Sequence, residues 1–262
     1  MTPFFSAEGE AAIRDAVRRR ALLVLDFDGT LAPIVPDRQA ARVPAGIRRM
    51  LRALSLLYPC AVVSGRARAD VAVRLDRIPL FAVVGNHGAE AGFGRIDRTR
   101  RGRVLSWART LKKDLSLVPG IDVEDKGFSV AVHYRHVPAR AAARALVMTV
   151  ASTLEGARVF PGHAVVNLVP SESPDKKAAL QELLRRAGRR PVLYVGDDRT
   201  DEDVFGWVDV GVRVGRTARS VARWYVNAQQ ATEALLRALV AARTRHDGLG
   251  DCADRFALAV GD

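Results

Sequence analysis

Two aspartates close the first strongly apolar segment of the chain, Leu22–Ile34, which reads LLVLDFDGTLAPI. Four apolar residues lead into Asp26, Asp28 follows two positions later, and Gly29 and Thr30 favour a turn. Carboxylates at the carboxyl end of a buried parallel strand lie where open α/β sheets bind ligands. One carboxylate there could act as a nucleophile, and two with a third could hold a hard cation such as Mg²⁺. On this segment alone, an ordinary turn after a strand is the alternative.

Three later segments supply candidate partners for these carboxylates. Ser64 ends the apolar segment CAVVS and offers a hydroxyl, although serine is also a common helix N-cap. Lys176 begins a predicted helix, where its ammonium could neutralise a phosphoryl group, although a solvated lysine is the ordinary alternative. The third segment follows a buried strand and holds five acidic residues within eight positions: Asp197, Asp198, Asp201, Glu202 and Asp203. Helix capping does not need so many acids, so the segment predicts a metal site.

The first third of the chain alternates predicted helices and strands, and this alternation positions the candidate residues. The helices are predicted at residues 6–20, Ala45–Leu57 and Ala69–Leu75. The strands are predicted at Ala21–Asp26 and within the segments CAVVSGR and LFAVVGN. Such alternation predicts a parallel sheet with right-handed crossovers.

The pattern changes near Phe93 and changes back after the segment PSESPDK. Between them lie predicted helices at 104–117 and 138–154 and short strands in IDVEDK, FSVAVHY, RVF and HAVVNLV. Afterwards come helix Lys176–Ala187, strands PVLYV and VDVGVRV, a helix after Thr217 and a helix at Ala231–Ala242. The predicted fold class is α/β, with a doubly wound parallel-sheet (Rossmann-like) core. Residues 1–92 and 171–262 would form this core, and residues 93–170 would form an inserted α+β cap domain.

The composition limits the classes of partner. Of 262 residues, 41 are basic and 29 acidic, which leaves a net charge of +12. The arginines are scattered along predicted helices, as in Arg18–Arg20, Arg48–Arg49 and Arg185–Arg186, and aromatic residues do not interleave them. This pattern indicates a solvated surface that attracts a small anionic substrate, with nucleic-acid binding as the weaker alternative.

The predicted location is cytoplasmic. The longest apolar segments have the length of strands, and the first twenty residues lack the charged-then-apolar order of a secretory signal. Cys60 and Cys252 lie far apart without metal-binding spacing, which favours a reducing compartment. We therefore expect no membrane partner, and a monomer is the expected oligomeric state.

In combination, the motifs LDFDGTL, VVSGR and VGDDRTDED resemble those of the haloacid dehalogenase superfamily of phosphatases, in the same order along the whole chain. Three further segments are similar to those of the trehalose-6-phosphate phosphatase family: GNHGAE (Gly85–Glu90), VEDKGFSVAVHYR (Val123–Arg135) and YVGDDRTDEDVF (Tyr194–Phe205). The resemblance implies an Mg²⁺-dependent phosphatase that hydrolyses trehalose 6-phosphate through an aspartyl-phosphate intermediate.

The same resemblance implies a role for each matched residue. Asp26 would be the nucleophile, Asp28 the general acid/base, and Ser64 and Lys176 would bind the phosphoryl group. The implied Mg²⁺ ligands are Asp26, the backbone carbonyl of Asp28 and Asp197, assisted by Asp198 or Asp201. The implied substrate-binding residues are Gly65, Arg66, Asn86, His87, Glu124, Lys126 and Asn167.

The chain departs from the family pattern at the end of the predicted cap. Where the family usually has Glu-Ile-Arg-Pro, this sequence has Asn167–Pro170, and Lys177 replaces a usual glycine. Asn167 can hydrogen-bond a sugar hydroxyl, but it lacks the charge of the usual glutamate. A second hypothesis is therefore the same chemistry on a sucrose-, glucosylglycerol- or mannosylglycerate-type phosphate. A non-catalytic binding protein is a third, and a dinucleotide-dependent oxidoreductase is disfavoured because no G-x-G-x-x-G follows the first strand.

Overall fold

The computed structural model describes residues 1–90, 98–162 and 164–248. The first part of the chain forms β1 (Thr2–Pro3), α1 (Ala7–Arg18), β2 (Leu22–Leu25), α2 (Ala45–Leu57), β3 (Cys60–Val63), α3 (Arg68–Arg74) and β4 (Ala82–Val84). The middle part forms α4 (Arg98–Asp114), β5 (Asp122–Asp125), β6 (Val130–His133), α5 (Arg140–Ser152), β7 (Ala157–Gly162) and β8 (Val165–Pro170). The last part forms α6 (Lys176–Ala187), β9 (Val192–Gly196), α7 (Glu202–Phe205), β10 (Val210–Val214), β11 (Trp224–Val226) and α8 (Ala231–His246).

Seven strands form a parallel sheet in the order β1-β11-β10-β9-β2-β3-β4. Strand β2 lies near its centre, with Leu25 opposite Val62 of β3 on one side and Val195 of β9 on the other. Because these strands are parallel, their carboxyl ends meet at one edge of the sheet. The residues that follow β2, β3 and β9 therefore share that edge, which we call the catalytic edge.

Helices cover both faces of this sheet. Leu23 and Leu25 of β2 pack into one apolar core with α1, α2 and α8, whereas Leu22 and Val24 pack into a second core with α6 and α7. Alternate residues of a strand point to opposite faces, so an entirely apolar strand needs a helical layer on each side. The predicted doubly wound α/β fold is confirmed.

A four-stranded antiparallel sheet, in the order β5-β6-β8-β7, forms a separate layer with α4 and α5. Its own apolar core includes Trp107 and Leu111 of α4, Val147 of α5 and Val132 of β6. We call residues 98–170 the cap. The predicted domain boundaries stay predictions, and the first lies among residues 91–97, outside the described residues.

The prediction of a helix after Thr217 is wrong. Residues after Thr217 turn at 218–219, and β11 then pairs in parallel with β10, with Trp224 opposite Val212. The reason is burial of Trp224 and Val226 between β10 and β1, because β-branched and aromatic residues pack well in a sheet. The short β1 beside it was not predicted.

No helix in the described ranges combines the length and apolar character needed to cross a membrane. Of the two cysteines, Cys60 is a buried free thiol of β3. Cys252 lies outside the described residues.

Candidate active site

Lys176 joins two buried carboxylates at the catalytic edge. Its Nζ lies 2.8 Å from Oδ1 of Asp26 and 2.6 Å from Oδ1 of Asp201. Asp26 directly follows β2 and is 4% exposed, and its backbone N–H donates to the carbonyl of Val195. Lys176 begins α6, where Asp175 caps the helix by accepting from the N–H of Ala178. The lysine is therefore a buried partner of Asp26 and not a solvated residue.

Asp201 is fixed by a buried tyrosine as well as by Lys176. The hydroxyl of Tyr194 donates to Oδ1 of Asp201 at 2.6 Å, and the N–H of Asp198 donates to Oδ2 at 2.9 Å. Burial and the charge of Asp201 raise the pKa of Tyr194 well above its usual value. Sequence analysis missed Tyr194, although a tyrosine inside the apolar strand PVLYV signals a buried hydroxyl that needs a partner.

Three carboxylates at this edge are close enough to hold one metal ion. Asp26, Asp197 and Asp201 each offer an oxygen, and these oxygens lie within 4.8 Å of one another. Burial raises the pKa of Asp26 well above its usual value; the charge of Lys176 opposes this shift, and those of Asp201 and Asp197 reinforce it. Burial and the charges of Asp201 and Asp198 raise the pKa of Asp197 to about 7.

One ammonium does not balance three carboxylates in a site shielded from water. Burial disfavours the charged form of Lys176, but the charges of Asp201 and Asp26 raise its pKa well above the usual value. The remaining negative charge and the all-oxygen donors fit a divalent cation, and hard cations such as Mg²⁺ prefer such donors.

The turn after Asp28 packs directly against the acidic loop. Gly29 has a φ of +78°, and a Cβ there would lie 2.0 Å from Oδ2 of Asp197. Thr30 Oγ1 donates to Oδ1 of Asp197 at 3.4 Å, and Arg213 Nη2 donates to the carbonyl of Asp197 at 2.5 Å. Only glycine fits here, since any side chain would displace Asp197.

Two predicted metal ligands lie outside the group of three carboxylates. Oδ1 of Asp198 accepts from the N–H of Arg199 at 2.7 Å as a cap of the loop, so this side chain serves its own segment. The carboxylate of Asp28 is held by Arg66. Metal binding by Asp198 and by the backbone carbonyl of Asp28 stays a prediction.

Arg66 grips both oxygens of Asp28. Its Nε lies 2.7 Å from Oδ2 and its Nη2 2.7 Å from Oδ1. Its other donors bind Oδ2 of Asp70 at 3.0 Å and the carbonyl of Arg38 at 2.9 Å. Burial opposes the charge of Arg66, but the hydrogen bonds to Asp28 and Asp70 raise its pKa. With four of its five N–H donors bound by the protein, Arg66 orients Asp28, and its direct contact with substrate stays a prediction.

Ser64 and Gly65 follow β3 at the same edge. Ser64 is fully buried, and its Oγ accepts from the N–H of Arg66 at 3.1 Å. The carbonyl of Gly65 accepts from Nζ of Lys126 in the cap at 3.1 Å. A Cβ on Gly65 would lie 2.4 Å from the ring of His87, so glycine permits this close approach.

Asn86 and His87 form a turn in an uncommon backbone conformation. Their φ angles are 52° and 56°, a left-handed region that costs on the order of 1 kcal/mol per residue outside glycine. The N–H of Gly85 closes the turn on the carbonyl of Glu90 at 3.0 Å. Such strain concentrates at functional sites.

The turn of Asn86 and His87 also contacts the cap. Oδ1 of Asn86 accepts from the hydroxyl of Ser129 at 2.6 Å, and the ring of His87 meets Phe160 edge-on with centroids 4.9 Å apart. Burial lowers the pKa of His87 well below its usual value, a shift that the charges of Lys126 and Lys176 reinforce. His87 is therefore neutral near pH 7 and lies between the catalytic edge and the cap.

Glu124 of β5 is the most strongly paired of the predicted cap residues. Its Oε2 lies 3.0 Å from Nε2 of His133, 3.2 Å from Nη1 of Arg38 and 3.9 Å from Nζ of Lys126. Burial would raise the pKa of Glu124, but the hydrogen bond with His133 and the charges of Lys126 and Arg38 lower it to about 2. Asn167 of β8 is 4% exposed and lies opposite Phe160 of β7.

Arg38 also pairs with Asp122 at 3.2 Å, so it joins a turn of the sheet domain to β5 of the cap. Sequence analysis missed this residue, because an arginine in a loop of an arginine-rich chain carries no local signal.

Residues 24–238 match the family model described as trehalose-phosphatase. The chain belongs to the trehalose-phosphatase family. The match begins within β2 and includes β3, the acidic loop and the cap, so it contains every predicted site residue.

Relatives within the trehalose-phosphatase family are longer than this chain. The trehalose-phosphate phosphatase of Mycobacterium avium is 39% identical over 211 residues, which are 74% of this chain and 52% of that protein. That of Mycobacterium ulcerans is 36% identical over 199 residues, or 71% of this chain and 51% of that protein. The chain spans about half the length of the curated relatives it matches.

Solved structures share the fold. The C-terminal domain of Candida albicans trehalose-6-phosphate phosphatase has a TM-score of 0.72 at 21% identity, covering 92% of this chain and 98% of that one. A phosphatase of the haloalkanoate (HAD) enzyme superfamily from Bacteroides thetaiotaomicron has a TM-score of 0.56 at 18% identity, covering 87% of this chain and 95% of that one. At these identities the solved structures show a shared fold, and the match to the family model confirms the family resemblance seen in the sequence.

Proposed function

We propose that this member of the trehalose-phosphatase family hydrolyses trehalose 6-phosphate to trehalose and phosphate, with Mg²⁺ as its cofactor. One observation carries the proposal: Asp26 lies at the end of β2 within a group of carboxylates that Lys176 bridges. The names of the relatives, trehalose-phosphate phosphatases at 36–39% identity, support the substrate. The substrate is a small molecule and not a nucleic acid; a cytoplasmic location and a monomeric state stay predictions.

In the first step, an oxygen of Asp26 attacks phosphorus and the bond from phosphorus to the sugar oxygen breaks. Asp28 gives its proton to that sugar oxygen, so trehalose leaves as a neutral alcohol and Asp26 carries the phosphoryl group. Lys176 orients Asp26 for the attack, and Ser64 with Lys176 binds the phosphoryl oxygens.

In the second step, Asp28 accepts a proton from water, and the water oxygen attacks phosphorus. The bond between phosphorus and Asp26 breaks, phosphate leaves, and both aspartates return to their starting forms. The two carboxylates need different environments for these different roles. Asp26 is buried beside Lys176, whereas the side chain of Asp28 is 40% exposed and paired with Arg66. Because both oxygens of Asp28 accept from Arg66, one of these hydrogen bonds must open for Asp28 to carry the proton that it donates in the first step.

Asp26, Asp197 and the backbone carbonyl of Asp28 would hold the Mg²⁺, which when bound neutralises charge on the phosphoryl group. Asp201 accepts from Lys176, Tyr194 and the N–H of Asp198, so it positions Lys176, and as a member of the group of three carboxylates it would also assist the metal.

The cap would bind the sugar and exclude water. Glu124, Lys126 and Asn167 would contact its hydroxyls, next to His87 at the catalytic edge. A second candidate keeps this mechanism and takes another sugar phosphate, of the sucrose, glucosylglycerol or mannosylglycerate type. The observation that favours it is Asn167, which stands where the family usually has a charged glutamate.

Phosphate release from a panel of these sugar phosphates, with and without Mg²⁺, tests both candidates. We expect the highest kcat/KM with trehalose 6-phosphate, and loss of turnover without a divalent cation. A higher kcat/KM with another sugar phosphate would select the second candidate. Absence of phosphate release from every compound would contradict both.

A further inference from the structure

A second concave surface lies at the amino ends of β2 and β9, opposite the catalytic edge. It has a volume of ≈ 350 Å³ and forms where the last turns of α1 and α8 meet the loop between α6 and β9. We call it the arginine pocket, because its lining includes Arg18, Arg19, Arg20, Arg189, Arg190 and Arg243. The rest of its lining is His246 and a single acidic residue, Asp247. Its volume is that of a small-molecule site, but its walls are charged and not apolar.

Helix capping accounts for only two of these arginines: Arg243 donates to the carbonyl of Val17, and Arg190 donates to the carbonyls of Gly188 and Arg20, each at 3.4 Å. Basic residues near helix C-termini often donate to the last free carbonyls and complement the helix dipole. Here backbone N–H groups already serve those carbonyls: Arg19 donates to the carbonyl of Asp15 at 3.0 Å and Asp247 to that of Arg243 at 3.0 Å. The carbonyl of Val17 accepts from the N–H of Arg20 at 3.1 Å and from Nη1 of Arg243 at 3.0 Å.

Nearby acids do not neutralise the arginine pocket either. Asp15 is shared by Arg18 at 2.8 Å and Arg19 at 3.3 Å, and both pairs are exposed. Asp247 pairs with Arg243 at 2.9 Å. The exposed side chains of Arg20 and Arg189 have no ion pair or hydrogen bond among the described residues. The pocket therefore collects like charges whose mutual repulsion a multivalent anion would offset.

We propose that the arginine pocket binds a small compound that carries two or more phosphoryl groups. Planar guanidinium groups match pairs of phosphate oxygens, and several such groups surround one concavity here. The lining has no Phe, Tyr or Trp, and six of its eight residues are arginines, so charge density is the main feature that the pocket can recognise. Three chain segments line this open concavity, and its small volume fits a compact anion better than an extended polymer.

Pyrophosphate titrated into the full chain by calorimetry, with a chelator present to remove divalent cations, tests this proposal. Under these conditions the catalytic edge presents the carboxylates of Asp26, Asp197 and Asp201 and repels the anion. We expect one binding site, with an affinity that falls as salt is added and that exceeds the affinity for inorganic phosphate.

The deciding variant combines Arg20→Asn and Arg189→Gln. Asparagine tolerates the left-handed backbone at Arg20, where φ is 50°. The matched control, Arg109→Gln with Arg144→Gln, removes the same charge from exposed positions in the cap. We expect Kd to rise about tenfold in the first variant, since two charge-assisted contacts are lost, and to stay unchanged in the control.

An equal loss of pyrophosphate affinity in both variants would overturn the proposal, because binding would then depend only on the net charge of the protein. Absence of binding to the wild-type chain at millimolar pyrophosphate, or tighter binding of a single-stranded oligonucleotide, would also overturn it. Phosphatase activity measured without pyrophosphate should be the same in all three proteins, so the outcome is independent of the proposed reaction.

Discussion

The guanidinium of Arg66 holds both carboxylate oxygens of Asp28, with each nitrogen–oxygen distance at 2.7 Å. Arg66 is in turn fixed by Asp70 and by the carbonyl of Arg38, whose own side chain pairs with Glu124 of the cap. The proposed acid/base is thus oriented by a chain of contacts that ends in the cap. Arg66 acts through Asp28. Kinetic measurements can therefore distinguish this role from a direct contact between Arg66 and the substrate.

Arg66→Gln should lower kcat about a hundredfold, within the usual contribution of acid/base catalysis, because Asp28 loses its orientation. The loss of kcat should occur with p-nitrophenyl phosphate as well as with the sugar phosphate. Arg66→Lys should restore little of the lost kcat, since lysine lacks the planar guanidinium that binds both oxygens of a carboxylate. Arg68→Gln, an exposed neighbour, is the control. A rise in KM for the sugar phosphate alone would indicate that Arg66 contacts substrate.

Asp26→Asn should abolish phosphate release while the fold stays intact. Because burial raises the pKa of Asp26, its charge destabilises the metal-free fold, and the variant should melt no lower than wild type near pH 8. Asp203→Asn, an exposed acid in the same loop, should retain activity. Turnover by Asp26→Asn above a small fraction of wild type would rule out this nucleophile.

The stability of the metal-free protein should fall as pH rises from about 4 to about 7, as far as Asp197 contributes. Its pKa is about 7 in the fold against an ordinary value of 3.8, so the folded state binds a proton that the unfolded state has lost. Denaturant unfolding of wild type and Asp197→Asn, with chelator present, measures this contribution. Across that range, the free energy of unfolding of Asp197→Asn should rise relative to that of wild type. Parallel pH profiles of the two proteins would contradict the raised pKa of Asp197.

Gly29→Ala should weaken Mg²⁺ binding and activity at least about tenfold, because a methyl group there collides with Asp197. Gly215→Ala is a matched control: its φ is +82°, yet a Cβ there meets nothing within 4 Å. The two variants should lose similar stability from the left-handed backbone, about 1 kcal/mol. Titration with Mg²⁺ then distinguishes the two variants. Equal Mg²⁺ affinity in both would exclude the collision between a methyl group at position 29 and Asp197.

Glu124→Gln should raise KM for the sugar phosphate about tenfold while p-nitrophenyl phosphate hydrolysis stays near wild type, since only the sugar needs a charged acceptor. Asp122→Asn removes the other partner of Arg38 and keeps Glu124, so it should change KM little. With a pKa of about 2, Glu124 should add no pH dependence to KM above about pH 4. A proportional loss with both substrates would assign Glu124 to cap closure instead.

The placement of Asp26, Ser64 and Asp197 at one edge followed from local pattern. Each comes directly after an apolar strand, and the alternation of strands with helices makes those strands parallel, so their carboxyl ends coincide. The density of acids in Gly196–Asp203 likewise predicted a metal site, and three carboxylates do converge. The periodicity of apolar residues indicates which residues are buried and whether the backbone is helical or extended. This information was sufficient to predict the fold class.

Side-chain partners depended on which elements meet, and no local pattern carries that information. Lys176 reaches Asp26 across 150 positions, and Arg66 reaches Asp28 across 38. The strand at Trp224–Val226, where a helix was predicted, exists because the edge of β10 offers it backbone partners. The type of a residue determines which chemistry it can perform. Its charge, orientation and partner depend on its burial and on the neighbours that the fold places beside it.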